Sequence, residues 1–338
     1  MTTMPFATCS APGYLLAGGE ECCSGEVVEG RVERMRVEVA EGLAQAQKVL
    51  PTKYLYDARG SQLFEDITRL PEYYPTRAER ALLEVRAPEL ARLCQPRSLL
   101  ELGSGGSAKT RVILDALCEV GCIEVYQPLD VSVSALAEAA ARLRTEYPGV
   151  EIRPLVADFT GELPPNDELP APRLYAFLGS TIGNLEPDAA VDLLRRIREL
   201  LGPEDRFLLG VDLKKDLARL ERAYNDAAGV TAEFNLNILA VMNRELGANF
   251  DLSAFRHRAF YNTAEDRIEM HLVSSTEQQV EIPGAGFYDF RPGETIRTEI
   301  SCKYDRARVE SLFAEAGLEL ERWWPDEVGD FALALARR

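Results

Sequence analysis

The chain has 338 residues, of which 46% are hydrophobic and 28% are charged, a balance typical of a globular protein with one large or two ordinary domains. Acidic residues outnumber basic ones by 55 to 38, and the net charge of −17 disfavours nucleic acid and anionic membranes as partners. No apolar run approaches the ~20 residues that a membrane-spanning helix needs.

The amino-terminal segment and the cysteines bear on the cellular compartment. Residues 1–25 lack the basic start and the apolar stretch of a secretory signal, and their composition predicts a mobile tail. The seven cysteines are scattered without a Cys-x-x-Cys pair, and only two histidines are present. We therefore expect reduced thiols, no metal and a cytoplasmic protein. Because no apolar stripe is left unassigned, we also expect a monomer.

Residues 98–212 alternate between strand-like and helix-like patterns. The predicted strands cover Ser98–Leu102, 123–129, 152–157, 173–178 and 206–211. Apolar residues at a spacing of three to four predict helices between them, over 109–119, Val133–Glu146 and 188–201. Repeated β-α units at this spacing predict a Rossmann-like α/β fold with a doubly wound, mostly parallel sheet.

After residue 212 the pattern changes to that of a smaller α+β domain. Helices are predicted over 216–226 and 231–246, followed by strands over 260–262, Arg267–Ser274, 277–282 and 295–303. The chain then returns to the first style, with a helix over Arg306–Ala316 and strands over 318–323 and 330–336. We expect the smaller domain to consist of residues 26–78 and 213–303, and the larger one of residues 79–212 and 304–338.

A glycine-rich turn follows the first predicted strand of the larger domain. The residues Gly103-x-Gly105-x-x-Ala108 lie between that strand and a helix, an arrangement that leaves the backbone bare for a nucleotide-like ligand. The turn alone fits nicotinamide enzymes as well as others. Glu101 stands two residues before the first glycine, where a carboxylate can attract the ammonium group of S-adenosylmethionine but would repel a pyrophosphate.

Acidic residues also end the next two predicted strands. Asp130 can accept hydrogen bonds from both ribose hydroxyls, and Asp158 can accept one from an adenine amino group while Phe159 stacks on the base. Each carboxylate could instead have an ordinary structural role, Asp130 as a helix cap and Asp158 in a polar turn. Since ligands bind outside the carboxyl ends of parallel strands, three such residues together favour S-adenosylmethionine.

Several longer motifs resemble a known family, the S-adenosylmethionine-dependent histidine Nα-methyltransferases of ergothioneine biosynthesis. The resemblance covers roughly residue 30 to the end of the chain. The motifs are YLYDARGSQLF at 54–64, ITRLPEYYPTR at 67–77, ELGSGGS at 101–107, FLGSTIGN at 177–184, YNDAAGVT at 224–231 and RTEIS at 297–301.

This resemblance implies an enzyme that transfers three methyl groups to the α-amine of L-histidine and forms hercynine. It implies cofactor contacts at Gly103, Lys109, Asp130, Asp158 and Phe159. It implies substrate contacts at Tyr73, Asn184, Tyr224, Glu299 and Ser301, with Tyr56, Gly179 and Met270 lining the same pocket. No residue is expected to act as acid or base, and Tyr56 and Asn184 are expected to position the reactants.

The chemistry of these residue types agrees with that assignment. Glu299 and Ser301 are two apart on a predicted strand, so their side chains share a face. A carboxylate and a hydroxyl can bind the two ring nitrogens of an imidazole, although by themselves such residues more often form a solvated face. Asn184, Tyr73 and Tyr224 offer neutral donors for a carboxylate, and neutral donors are suitable beside a cationic sulfonium.

Three other functions remain open at this point. The same methyl transfer could act on another amino acid such as tryptophan, whose indole would prefer an apolar residue in place of Glu299. A nicotinamide-dependent oxidoreductase could use the same glycine turn, although no histidine or lysine is placed for proton transfer. A protein that only binds histidine or the cofactor is the third alternative.

Overall fold

The computed structural model describes residues 14–15, 25–165 and 167–338. In chain order, its strands are β1 (Tyr14–Leu15), β2 (Lys48–Val49), β3 (Ser98–Leu102), β4 (Val125–Asp130), β5 (Glu151–Ile152), β6 (Leu155–Val156), β7 (Arg173–Phe177), β8 (Arg206–Asp212), β9 (Phe255–Asn262), β10 (Arg267–Ser274), β11 (Gln278–Ile282), β12 (Gly286–Phe290), β13 (Thr295–Cys302), β14 (Glu319–Pro325) and β15 (Phe331–Arg337). The helices are α1 (Gly25–Leu43), α2 (Ala58–Arg69), α3 (Pro75–Cys94), α4 (Thr110–Val120), α5 (Val133–Glu146), α6 (Pro187–Leu200), α7 (Leu217–Tyr224), α8 (Val230–Leu246) and α9 (Arg306–Ala316).

The larger sheet is the framework of the Rossmann-like fold. Within the described ranges its strand order is β1-β6-β4-β3-β7-β8-β15-β14, with β5 also paired to β4. The central pairs from β6 to β8 are parallel, whereas β15 runs antiparallel to both β8 and β14. The order reverses at β3, so the carboxyl ends of β3 and its neighbours form the crevice in which such sheets bind ligands. The predicted α/β class is confirmed.

The second region is built on a smaller sheet with the order β2-β13-β10-β9. Strand β13 is antiparallel to β10 and parallel to β2, which brings the segment after α1 to the edge of this sheet. Strands β11 and β12 form a separate hairpin.

Hydrophobic packing ties the amino-terminal helices to the smaller sheet. One apolar cluster contains Val39, Leu55 and Leu63 together with Ile238 and Met270. Other clusters cover the two faces of the larger sheet, and helix α3 packs on one of them. This grouping supports the proposed division of the chain, in which residues 26–78 belong with residues 213–303.

Most elements predicted from residue 98 onward are present in the structure, with several differences. Strand β9 begins at Phe255 and not at residue 260, and helices α1, α2 and α3 lie in a part of the chain for which no elements were predicted. The expected strand over 152–157 is split into β5 and β6, because Pro154 in the middle has no N–H to donate to a ladder. The strand β12 was not predicted and lies between two strands that were. Of the expected mobile tail 1–25, the described Tyr14–Leu15 pairs with β6, and residues 1–13 and 16–24 lie outside the described residues.

Candidate active site

The glycine turn after β3 opens the crevice at the carboxyl end of the sheet. Gly103 and Gly105 have φ of +65° and +50°, a left-handed backbone conformation that residues other than glycine rarely adopt. A side chain added at Gly105 would meet no atom within 4 Å, so the space above the turn is open. Asp130 holds the turn from the end of β4, because its carboxylate accepts hydrogen bonds from the Gly105 N–H (2.8 Å) and the Ser132 N–H (2.9 Å).

Glu101 lies beneath this turn, where side chains of the protein itself bind its carboxylate. Its side chain is buried, and one carboxylate oxygen accepts hydrogen bonds from the hydroxyls of Thr110 and Tyr126. Burial raises the pKa of Glu101 to about 7, against the opposing effect of these two hydrogen bonds. The structure therefore places Glu101 as a buried support of the turn.

Asp158 and Phe159 follow β6 on the other side of the turn. The Phe159 ring packs edge-on against Phe177, with ring centroids 5.1 Å apart, and its edge lies 3.5 Å from where a side chain at Gly103 would be. Asp158 accepts a hydrogen bond from Lys53 Nζ at 2.8 Å. Burial would raise the pKa of Asp158, but hydrogen bonds from Lys53 and Thr160 outweigh it and lower the pKa. Lys53 thus connects the smaller sheet's side of the molecule to the cofactor crevice.

A buried glutamate links the expected cofactor and substrate residues. Glu79 on α3 is fully buried and forms an ion pair with Lys109 Nζ. Its other carboxylate oxygen accepts a hydrogen bond of 2.7 Å from the Gly179 N–H. A side chain at Gly210 would lie 2.2 Å from the same oxygen, so this glycine makes room for the carboxylate. No motif in the sequence points to Glu79, which is one of several acidic residues in helix α3.

The smaller sheet brings three of the expected substrate residues together. Met270 on β10 is the register partner of Glu299 on β13, and Ile268 is that of Ser301. Since directly paired residues of antiparallel strands have side chains on the same face, Met270, Glu299 and Ser301 line one patch. Ser301 and Met270 are buried, which excludes the solvated face that a Glu-x-Ser pattern usually indicates.

Glu299 is the polar centre of this patch. Its side chain is 8% exposed, and its Oε2 atom is buried without a hydrogen-bond partner among the described residues. Burial raises the pKa of Glu299 to about 7, while nearby Lys303 and the Asn184 amide act to lower it. Asn184 also donates a hydrogen bond of 2.7 Å to the Ile300 carbonyl, which fixes its side chain beside β13. A buried, unpartnered carboxylate oxygen is a site for a donor on a ligand.

Three tyrosines surround Glu299. Tyr73 and Tyr224 contact each other edge-on at 6.1 Å between ring centroids, and Tyr56 packs against Phe234 at 5.5 Å. Burial and the neighbouring negative charge of Glu299 raise the pKa of all three phenols. The charge of Asp130 also acts to raise the pKa of Tyr56.

Below the patch, a buried lysine and aspartate hold two of the hydroxyls. Lys303 is fully buried, and its Nζ lies 2.8 Å from Asp212 Oδ2, 2.8 Å from Ser301 Oγ and 3.1 Å from Tyr224 Oη. Asp212 also accepts hydrogen bonds from Lys215 and from Tyr74, whose hydroxyl is 2.9 Å away. Burial would raise the pKa of Asp212, but Lys303 and Lys215 outweigh it and lower the pKa.

The structure therefore separates the expected residues into two adjoining groups. Gly103, Asp130, Asp158 and Phe159 surround the turn, and Lys109 reaches toward Gly179. The second group consists of Tyr56, Tyr73, Asn184, Tyr224, Met270, Glu299 and Ser301. Sequence reasoning missed Lys53, Glu79, Asp212 and Lys303. Of these, Lys303 had a signal, because it continues the two-residue alternation of Glu299 and Ser301.

The first group fits S-adenosylmethionine. The open backbone at Gly105 leaves room for a ligand, and Asp130 presents a carboxylate beside it. Phe159 offers a ring for an adenine, and Asp158 an acceptor for its amino group.

Comparison with known proteins identifies the family. Residues 35–338 match the family model of S-adenosylmethionine-dependent, histidine-specific methyltransferases. The chain is 48% identical over 307 residues to the histidine N-alpha-methyltransferase of Mycobacterium tuberculosis, covering 90% of this chain and 95% of that protein. It is also 48% identical over 313 residues to the protein of the same name from Mycolicibacterium smegmatis, covering 92% of this chain and 97% of that protein.

A more distant relative is named for a different substrate, L-tryptophan. The L-tryptophan methyltransferase of Psilocybe serbica is 28% identical over 341 residues, covering 91% of this chain and 94% of that protein.

Throughout the part of the chain that the structure describes, no helix is both long enough and apolar enough to cross a membrane. The family match decides against a nicotinamide-dependent enzyme, and the chain belongs to the S-adenosylmethionine-dependent, histidine-specific methyltransferases.

Proposed function

We propose that the enzyme transfers three methyl groups from S-adenosylmethionine to the α-amine of L-histidine and so forms hercynine for ergothioneine biosynthesis. The observation that carries this proposal is the unpartnered Oε2 of Glu299 beside Ser301, a buried acceptor and a hydroxyl on one face of β13. An imidazole N–H supplies the donor that Glu299 lacks. An indole would leave Ser301 opposite a ring carbon.

The site holds the rest of the amino acid by neutral groups. We assign the substrate carboxylate to Asn184 and Tyr73, which donate without adding positive charge, and Tyr224 lines the same site while its hydroxyl donates to Ser301. Met270 forms the apolar wall of the pocket next to Glu299. This arrangement orients the α-amine toward Gly179 and Tyr56, at the border with the cofactor group.

The reaction needs alignment more than acid–base catalysis. S-adenosylmethionine supplies a methyl group on a sulfonium that is already activated as a leaving group. The amine must be neutral to attack, and the proton it loses can leave to solvent. We assign Tyr56 and Asn184 to positioning, and the missing side chain of Gly179 to the room that a growing trimethylammonium group needs.

For the cofactor we assign Gly103 and Lys109 to the methionine portion, Asp130 to the ribose and Asp158 with Phe159 to the adenine. Lys109 is neutralised by Glu79, so the pair adds no net positive charge beside the sulfonium. The absence of a net positive charge on this pair supports the binding of the cationic sulfonium there.

We further propose that the protein works in the cytoplasm as a monomer, with residues 26–78 and 213–303 as the substrate domain and residues 79–212 and 304–338 as the methyltransferase domain. Free thiols at Cys94, Cys118, Cys122 and Cys302 support a reducing compartment. The exposed large apolar side chains are scattered, which supports a monomer.

Mass spectrometry of the purified protein with S-adenosylmethionine and each of the twenty amino acids tests the proposed function. We expect a gain of three methyl groups on histidine alone. Methylation of tryptophan would keep the cofactor assignment and overturn that of Glu299 and Ser301. Methylation of no amino acid would overturn the proposed function.

A further inference from the structure

Three buried polar groups next to the substrate patch form a closed triangle. The ammonium of Lys303 contacts the hydroxyls of Ser301 and Tyr224 at 2.8 and 3.1 Å, and the two hydroxyls are 2.9 Å apart. Asp212 Oδ2 accepts the third hydrogen bond of the ammonium, at 2.8 Å. Because an ammonium has three protons and no lone pair, Lys303 can only donate to both hydroxyls.

The triangle leaves the Ser301 hydroxyl with one possible role toward a ligand. A hydroxyl has one proton and two acceptor sites. Ser301 Oγ accepts one hydrogen bond from Lys303 and a second from the Tyr224 hydroxyl, so both of its acceptor sites are used. Its own proton is left to point away from the triangle. Toward the pocket, Ser301 is therefore a donor and not an acceptor.

Glu299 provides the opposite character two residues along the same strand. Its unpartnered oxygen accepts, so the strand presents one acceptor and one donor. A neutral imidazole has one N–H and one nitrogen lone pair and satisfies both groups. An imidazolium has two N–H groups, and one of them would face the Ser301 proton.

We propose that Lys303 is a positioning residue that fixes Ser301 as a donor and thereby selects the neutral imidazole of the substrate. This inference rests on the proposed function, because it assumes that an imidazole occupies the site. The titratable and charged groups around the triangle include Asp212, Lys215, Glu299, Cys302, Tyr56, Tyr73, Tyr74 and Tyr261, and His257 contacts the Tyr224 carbonyl at 2.9 Å.

The test compares the binding of two ligands as the pH is lowered. Calorimetry measures the dissociation constant of L-histidine and of 1,2,4-triazolylalanine between pH 7.5 and 5.5, with S-adenosylhomocysteine present. The triazole ring is far less basic than imidazole and stays neutral throughout. A change with pH that affects both ligands alike cancels in the ratio of the two constants, which then reports the protonation of the imidazole beside Glu299.

For the unmodified enzyme we expect histidine to lose about tenfold in affinity relative to the triazole over this range, since an imidazole with a pKa of ~6.5 loses about that share of its neutral form. In Lys303→Met and in Ser301→Ala, the relative loss should shrink below about threefold, because no fixed donor then opposes the imidazolium. The double variant should be no flatter than either single one, as expected for two residues that act through one contact.

Two features keep the result interpretable. Lys303→Met leaves Asp212 paired with Lys215, so no buried carboxylate is orphaned, and Ser301→Ala tests the same donor with the lysine in place. Lys214→Met is the matched control, because Lys214 forms ion pairs with Asp266 and Asp305 away from the pocket. That control should keep the tenfold loss.

A tenfold loss that persists in Lys303→Met while Ser301→Ala abolishes it would overturn the role of the lysine. A tenfold loss in both variants would overturn the donor assignment of Ser301. Either result would leave the proposed function intact, provided that the unmodified enzyme still methylates histidine. If that enzyme neither binds nor methylates histidine, the proposed function itself fails.

Discussion

The two halves of the active site are held in place by different means. Around the cofactor crevice, backbone groups hold the site in place, because the N–H groups of Gly105 and Ser132 donate hydrogen bonds to Asp130. Around the substrate patch, side chains hold side chains, and a buried Lys303–Asp212 pair supports two hydroxyls. The cofactor half thus depends on strand ends and turns, and the substrate half on a charge network that joins distant segments.

This difference predicts how each half responds to substitution. Removal of a backbone-binding carboxylate should disturb the turn itself as well as a ligand contact. Removal of a side chain from the substrate patch should change the affinity for one ligand and leave the other half as it was. Substitutions in each half test that contrast.

Asp130→Ala should have the largest effect on cofactor affinity. The variant loses two hydrogen bonds to a charged acceptor within the turn and the proposed ribose contact. We expect S-adenosylhomocysteine to bind about a hundredfold or more weakly, since such bonds contribute ~1.5–3 kcal/mol each. Calorimetric titration measures the change. Asp130→Asn keeps one acceptor oxygen and should lose less, and equal losses in the two variants would contradict the role of the turn.

Glu299→Ala should affect the other half alone. The imidazole N–H loses a charged acceptor, so histidine should bind roughly ten- to a hundredfold more weakly. The affinity for S-adenosylhomocysteine should stay within about twofold, because the groups that act on Glu299 within the described residues are Lys303 and Asn184 and not the glycine turn. Unchanged histidine affinity in a calorimetric titration would overturn the proposed pocket.

The stability of the protein should also report the burial of Glu299. Burial raises its pKa to about 7 from an ordinary value of 4.5. Between these values the folded chain keeps a proton that the unfolded chain loses, so the free energy of unfolding falls as the pH rises through this window and levels off above it. Glu299→Gln cannot ionise and should lack this fall. Its free energy of unfolding relative to the unmodified protein should therefore increase by about 2 kcal/mol from pH 5 to pH 8.

Glu101→Gln is the matched variant for that measurement. Burial also raises the pKa of Glu101 to about 7, so the same change with pH is expected from denaturant unfolding. Glu101 supports the glycine turn, however, and its substitution should leave the affinity for histidine unchanged. A stability difference that does not vary with pH in either variant would show that these carboxyls titrate normally.

The same contrast explains what the sequence could predict. Strand β3 and helix α5 were predicted with the observed bounds, and Asp130 and Asp158 were placed at strand ends, because local periodicity and turn residues determine these features. The residues of the substrate patch were assigned through a family resemblance, since Tyr56, Asn184 and Glu299 come together only in the tertiary structure. No local pattern reports such a juxtaposition.

The residues that sequence reasoning missed belong to contacts between distant segments. Glu79 meets Gly179 and Lys109 across 100 and 30 positions of the chain, and nothing in its own helix distinguishes it from a surface glutamate. Lys303 could have been found, because it shares the face of Glu299 and Ser301. A lysine on a strand usually indicates a solvated face, and only the buried Asp212 shows otherwise.

The smallest expected effect comes from the ion pair that crosses between the two halves. Lys53 Nζ lies 2.8 Å from Asp158 and 2.9 Å from Glu38, and all three side chains are about a quarter exposed. Partly exposed pairs contribute only ~0–1 kcal/mol to stability. A carboxylate oxygen can accept two hydrogen bonds, so Asp158 can hold Lys53 and an adenine amino group together.

Lys53→Met should therefore change the affinity for S-adenosylhomocysteine by less than about threefold, whereas Asp158→Ala should lower it about tenfold through the loss of an acceptor. Titrations of both variants at low and high salt measure this difference. If Lys53→Met weakened binding as much as Asp158→Ala, the lysine would itself hold the cofactor half in place. The two halves would then share a support, and the division between a backbone-built and a side-chain-built site would be wrong at this point.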